Sequence, residues 1–232
     1  MKVNAIKTRI FKENENLTDF IISHIPKLKD RTVLAVTSKI VALAEGRVVK
    51  LKNRKEKERL IRAESEWQLK VLPGWWLTVR DGTVVVNAGI DDSNADWKTI
   101  LLPKNSFIAA GTIRRQLRTH YKIKNLGIVI TDSRTSALRE GVTGVALGYA
   151  GFKGVKDYRN DTDIFGRKLK VTQTNIADSL ATAATVVMGE GGERQPLAIL
   201  TDAPVQFCDR VNRKELRIAR KYDMYRSLFA RQ

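Results

Sequence analysis

Four acids stand among turn-forming residues. Asp91 and Asp92 lie in Asn87-Ala88-Gly89-Ile90-Asp91-Asp92-Ser93-Asn94, Asp132 in Ile130-Thr131-Asp132-Ser133, and Glu190 in Gly189-Glu190-Gly191-Gly192-Glu193. Hard divalent cations such as Mg²⁺ and Mn²⁺ take oxygen ligands and are held by a few carboxylates together with substrate phosphates. Asp91, Asp132 and Glu190 can supply such a site, and the glycine-rich loop around Glu190 adds backbone N–H groups able to meet phosphate oxygens. Taken singly, each acid reads as readily as a turn residue or a helix cap.

Other chemistries find less support. The chain has no G-x-x-x-x-G-K-[ST] phosphate loop, no G-x-G-x-x-G fingerprint and no H-E-x-x-H zinc helix. Its two histidines, His24 and His120, are isolated and read as surface or capping residues. Cys208 is the single cysteine, with no histidine in a context that would activate it, and no intrachain disulfide is possible.

The elements that must position the acids follow from local pattern. Val33-Leu34-Ala35-Val36 reads as a buried strand running into Thr37 and Ser38; Ile40, Val41 and Ala44 then recur at helical spacing up to Gly46. Thr83 to Val86 is a second strand ending at Asn87-Ala88-Gly89, and Gly127 to Ile130 a third that ends at Thr131-Asp132-Ser133, so acids follow directly after strands. Asn105 or Ser106 caps a helix with Ala109, Ile113, Leu117 and Tyr121 on one face and a basic stretch on the other. A later helix starts near Asn175, turns Ile176, Leu180, Ala183, Ala184 and Val187 to its apolar side and stops at Gly189; Leu197 to Leu200 is the next strand. Gly141, Gly144, Gly148, Gly151 and Gly154 form a spaced series best read as close backbone packing or turns. Leu72-Pro73-Gly74-Trp75-Trp76 is a turn entering a strand, and the four tryptophans are core or interface residues. The class is mixed α and β without repeats, and the expected organisation is a single domain over 1–232.

Composition sets outer limits. The 232 residues suffice for a self-sufficient core, and 43% hydrophobic with 29% charged residues is ordinary globular usage. The N-terminus lacks an apolar signal region and no run is long enough to span a membrane, so a cytoplasmic chain without membrane partners is expected. Lys and Arg number 42 against 25 Asp and Glu, a formal charge of +17. The excess gathers in Lys50 to Arg62, Arg114 to Lys124 and Arg210 to Arg231. It reads as a solvated basic face, as a site for polyanionic substrates, or as a nucleic-acid-binding surface, the last without any recognised binding motif.

At the same loops the chain resembles the coenzyme F420-0 γ-glutamyl ligase family. The resemblance is carried by Ala44-Glu45-Gly46-Arg47, Asn87 to Asn94, Leu101-Leu102-Pro103, Ile130 to Ser133, Lys156-Asp157-Tyr158 with Phe165 to Leu169, and Ala177-Asp178 with Met188 to Gly192. It implies an α+β fold particular to the family, forming an interwoven homodimer, in which one ligase domain contains two interwoven subdomains. It implies GTP-dependent joining of L-glutamate to the carboxylate of a deazaflavin precursor by way of an acyl phosphate, or the same chemistry on another anionic carboxylate such as a folate-like compound. Carried over residue by residue, the family's metal ligands for two Mg²⁺ or Mn²⁺ ions fall on Asp91, Asp132, Ser133 and Glu190. Its nucleotide contacts fall on Ser38, Lys39, Asn94, Met188, Gly189, Gly191 and Gly192. Four departures touch the surroundings and not the acids: Leu43 where a nucleotide-contacting lysine is usual, Thr135-Ser136 in place of Gly-Arg, Lys104 to Phe107 in place of Asp-Pro, and a segment near Ile10 without the usual Pro/Gly character. The first suggests that Leu43→Lys would tighten nucleotide binding.

Overall fold

A strand whose two faces are both covered reads as a continuous apolar run, and Val33 to Val36 are all apolar and buried. The computed structural model describes residues 1–229 and places this segment at the centre of a five-stranded sheet. In chain order the elements are β1 (Lys2–Ile6), α1 (Leu17–His24), β2 (Thr32–Thr37), α2 (Ser38–Ala44), β3 (Val48–Val49) and α3 (Arg54–Ala63). There follow β4 (Trp67–Leu72), β5 (Trp75–Arg80), β6 (Thr83–Val86), β7 (Thr99–Ile100), α4 (Ser106–Tyr121), β8 (Leu126–Thr135) and β9 (Val142–Ala150). The remainder are β10 (Val155–Asp157), β11 (Gln173–Asn175), α5 (Ile176–Met188) and β12 (Leu197–Thr201). The α+β class expected from the sequence is therefore observed.

The main sheet runs β1-β12-β2-β8-β9. Only β2 and β8 are parallel, in register from Thr32 opposite Leu126 to Thr37 opposite Thr131. Side chains alternate across the sheet as the two-residue period requires. Leu34, Val36, Leu126, Ile128 and Ile130 pack on one face against α1 and α4. Val33, Ala35, Val129, Ala198 and Leu200 pack on the other against α5.

Helix α4 begins as expected, with the Asn105 side chain accepting from Ile108 N at 2.9 Å. Its buried positions are Ser106, Ala110, Ile113, Arg114 and Leu117, so Arg114 leaves the basic face and enters the protein. Helix α5 is capped by Asn175, which accepts from Asp178 N, and it ends at Gly189 with φ 77°. The buried face of α5 is turned from the one expected: Ala177, Leu180, Ala181, Ala184 and Met188 are buried, while Ile176 and Val187 lie at its margin. The cause is β9, which the glycine series conceals. A Cβ at Gly144 would lie 2.4 Å from Ala181 O, and one at Gly148 would lie 2.4 Å from the Ser106 carbonyl carbon. The spaced glycines thus serve close packing of β9 against both helices.

A second, three-stranded sheet joins β4, β5 and β6. Pro73-Gly74 makes its first turn, with Gly74 at φ 87°. Trp67 and Trp76 are buried, whereas Trp75 is 55% and Trp97 99% exposed. His24 behaves as a capping residue: in the last turn of α1 its Nδ1 lies 2.8 Å from Phe20 O.

Candidate functional site

The parallel pairing of β2 with β8 stops at Thr37 and Thr131, and the two chains then diverge. Strand β2 turns directly into α2, whose first residues are Ser38 and Lys39. Strand β8 continues, paired only with β9 and shifted in register between Ile130 and Thr131. The crevice beyond the carboxyl ends of parallel strands is where open α/β sheets bind ligands, because diverging connections leave space there. Asp132 and Ser133 lie on β8 at this point and are partly buried. Asp132 is accordingly inside a strand, not in the loop after one.

Residues distant in sequence meet here. Lys39 Nζ donates to Asp91 Oδ2 at 2.8 Å, to Ser93 O at 2.8 Å and to Ser93 Oγ at 3.0 Å. Asp91 in turn accepts from Ser93 N at 2.7 Å and from the Ser93 hydroxyl at 2.7 Å. Asn94, at φ 52°, donates from Nδ2 to Gly191 O at 3.1 Å and so ties the Asp91 loop to the Glu190 loop. Ser133 N donates to Asp132 Oδ1 at 3.0 Å, and the Ser133 hydroxyl lies on the Glu190 side, where it favours the ionised Glu190 carboxyl.

The charges are unbalanced. Burial pushes the Asp132 carboxyl up to about 7, and the negative charges of Asp91 and Glu190 add to the rise, against the Ser133 N–H and Lys39. Glu190 is raised as well, again chiefly by burial and then by Asp91 and Glu193, against the Ser133 hydroxyl and Lys39. Burial opposes ionisation of Asp91 too, but the Lys39 ammonium and the two Ser93 donors outweigh it and hold that carboxyl below the ordinary range. Three carboxyls thus share one ammonium. All the offered donors are oxygens, the set that hard divalent cations take, and added positive charge would relieve the repulsion. Among the described residues, no three His, Cys, Asp or Glu side chains stand close enough together to hold an ion as they are.

The remaining sequence-predicted residues divide. Ser38 is buried at the start of α2. Met188 is 3% exposed and packed in the α5 core, so only its backbone faces the loop that follows. In that loop Gly191 N donates to Glu193 Oε2 at 2.8 Å, and a Cβ at Gly189 would strike the Glu193 carboxyl carbon at 2.4 Å. A Cβ at Gly192 would meet nothing. The loop therefore already holds one carboxylate on its backbone. Asp92 turns away, accepting from Thr99 Oγ1 at 2.7 Å and pairing with Lys57. Leu43 packs against the core beside α1 and against the small cluster of Ala42, Ala95 and Ile100. A lysine there would first lose that packing, which the sequence comparison with the family could not reveal. Ser93 and Glu193 escaped sequence reasoning; the Asp-x-Ser spacing of a local turn was the one available signal for Ser93.

Comparison with known proteins bears on the same region. The family described as F420-0:Gamma-glutamyl ligase matches residues 5–71 and 56–202. A protein of Methanococcus maripaludis named coenzyme F420:L-glutamate ligase is 34% identical, the match covering 97% of each chain. Proteins of the same name from Archaeoglobus fulgidus, 34% identical over 82% of this chain and 83% of theirs, and from Methanosarcina mazei, 36% identical over 86% of each, are likewise similar.

Proposed function

Because the chain belongs to the F420-0:Gamma-glutamyl ligase family, we propose that it joins L-glutamate to the carboxylate of coenzyme F420-0, consuming GTP and using two Mg²⁺ or Mn²⁺ ions. The observation that carries this reading is the Lys39–Asp91 pair at the carboxyl ends of the parallel strands, with Asp132 and Glu190 near enough to be influenced by both charges. A carboxylate does not react with an amine until its oxygen becomes a leaving group. In the proposed sequence an acceptor carboxylate oxygen bonds to the γ-phosphorus of GTP as the bond to GDP breaks. The amine of glutamate then attacks the acyl carbon, phosphate departs, and the amine gives up a proton.

Asp91, Asp132, Ser133 and Glu190 would hold the ions, which supply positive charge to the transferring phosphoryl oxygens. Lys39, on its flexible stem, offers an ammonium to the same oxygens. Ser38, Asn94 and the backbone of Met188, Gly189, Gly191 and Gly192 would contact the nucleotide. Positioning and electrostatics carry such a reaction, because the phosphoryl group needs alignment and charge neutralisation more than covalent help.

The chain is further proposed to act as a homodimer within a reducing cell interior. Val71, Leu72, Trp75 and Val84 expose apolar surface on the three-stranded sheet, a surface suited to a second copy. Sedimentation at micromolar concentration should show two chains per particle; a monomer contradicts this. Among the described residues no helix is long and apolar enough to cross a membrane.

The reaction is tested with purified protein, GTP or ATP, Mn²⁺ or Mg²⁺, glutamate and a panel of carboxylate acceptors, followed by mass spectrometry. A glutamylated F420-0 formed in step with GDP is expected. Glutamylation of a pterin acceptor alone would move the substrate, and no amide product on any acceptor would overturn the reading.

A further inference from the structure

Away from the acids, the face of α4 and the segment after β12 border an open-mouthed cavity of about 780 Å³. Its charged lining is Arg114, Arg115, Arg118, Arg210 and Arg213 against the single acid Asp209. It shares no residue with the site built from Ser38, Lys39, Asp91, Asp132 and Glu190. Arg114 is spoken for: it is 8% exposed, donates from Nε to Leu126 O at 2.8 Å and from a terminal nitrogen to Asp209 Oδ1 at 2.9 Å. Arg118 shares that oxygen at 3.1 Å. Asp209 is thus committed twice, and its carboxyl is held below the ordinary range by Arg114 first and Arg118 second.

Among the described residues, Arg115, Arg210 and Arg213 form no ion pair with a carboxylate, so the cavity keeps a positive excess. Its walls are not wholly polar. Phe107, Ile123 and Val211 supply apolar surface, while Tyr149, wholly buried, donates its hydroxyl to Glu215 at 2.5 Å. The cavity's volume falls within the roughly 300–1,000 Å³ of small-molecule sites, but its walls are more polar than is usual for them, which favours a charged ligand over an apolar one. Guanidinium groups suit it to planar, paired recognition of phosphate or carboxylate oxygens. A nucleic acid would instead need a continuous basic track with room for a backbone to run through.

We propose that this cavity is a second anion site, separate from the ligase centre, which takes a small organic polyanion with closely spaced phosphate or carboxylate groups on Arg115, Arg118, Arg210 and Arg213. It goes beyond the proposed ligation and does not depend on it. The test is calorimetric titration at about 0.15 M ionic strength, where long-range attraction is screened, with chelator present and with inorganic tripolyphosphate, tetraglutamate and a short RNA duplex as separate probes. One small anion should bind per chain, and the tripolyphosphate and tetraglutamate arms tell phosphate from carboxylate. The exposed pair R210E/R213E should weaken binding at least about tenfold by reversing two of the recognising charges, and R115E should do so from the helix side, with circular dichroism unchanged. D132N, in the ligase centre, should bind the same probe as wild type. Failure of both small anions, wild-type binding by R210E/R213E, or loss in D132N would each overturn the proposal. Binding of the duplex alone would replace it with a nucleic-acid surface.

Discussion

The molecule carries two charge clusters of opposite sign, and they are built differently. At the ends of β2 and β8, three carboxyls share the Lys39 ammonium, and burial raises two of them. Beside α4, five guanidinium groups stand around the single Asp209 carboxylate, which pairs with Arg114 and Arg118 alone, and most of the five remain in contact with water. The acid cluster is assembled from four separate stretches of chain and is partly buried, with Asp91 and Asp132 half-buried and Glu190 exposed, while the arginine cluster comes from one helix and one later segment. Partial burial at Asp132 is what separates their consequences. A partly buried excess of one sign stores repulsion that a bound counter-ion relieves, whereas a solvated excess is screened and serves attraction more than chemistry.

The largest effect should come from breaking the acid cluster. Asp132→Asn and Glu190→Gln should each fold yet lose ligase turnover by at least about a hundredfold, since each removes a charged oxygen ligand from the proposed phosphoryl-transfer site. Steady-state rates at saturating nucleotide check this, and near-normal rates in both would remove these residues from the mechanism.

The arginine cluster should prove divided. Arg114→Met is expected to lower stability by about 2–4 kcal/mol, because it strands a buried carbonyl and uncouples the pair with Asp209. Arg115→Ser on the exposed face of the same helix should change stability by less than about 0.5 kcal/mol. Urea unfolding of the two variants separates a structural arginine from a solvated one; equal losses would erase the distinction.

A smaller effect concerns the cost of the acid cluster to the fold. The Asp132 carboxyl rises from 3.8 to about 7 on folding, so between those values the native state binds more protons than the unfolded chain. The sign follows from linkage: metal-free stability is highest at the acidic end of this window, falls as pH rises through it and levels off above. Asp132→Asn removes this dependence, and above the window the variant should be more stable than wild type by about 1–3 kcal/mol, discounted for partial solvent access. Parallel urea midpoints at about pH 5 and about pH 8 check the sign. The least effect is expected at Leu43. Its side chain is partly buried against two apolar clusters, so Leu43→Lys should cost about 1 kcal/mol and leave nucleotide affinity unchanged. A tightened nucleotide titration would restore the family-based expectation that a lysine here serves the nucleotide.

What was legible in the sequence is local. The run Val33 to Val36, the Asn105 and Asn175 caps and the Gly189 stop each announce themselves within a few residues, and all appear where expected. Strand β9 did not, because Gly144 and Gly148 take positions where an alternating pattern would place side chains, and the reason for those glycines lies in helices packed against them. Helix α3 was masked by charge, with only Ile61 fully buried. The acids of the site could be picked out as residues in suggestive loops. Their meeting could not, since Lys39 reaches Asp91 across 52 positions and Asn94 reaches Gly191 across 97. Arg114 looked like its solvated neighbours until packing against Gly151 and Leu126 fixed its side chain inside.

The central claim is that Asp91, Asp132 and Glu190 form a site completed by a divalent cation. Its most direct test is calorimetric titration of Mn²⁺ into wild type, D132N, E190Q and R210E/R213E at a pH above the Asp132 window. Wild type and R210E/R213E should take up Mn²⁺ alike, while D132N and E190Q bind it at least about tenfold more weakly because each loses a charged oxygen ligand. Equal Mn²⁺ affinity in all four proteins, or none in any of them with nucleotide present, would contradict the account.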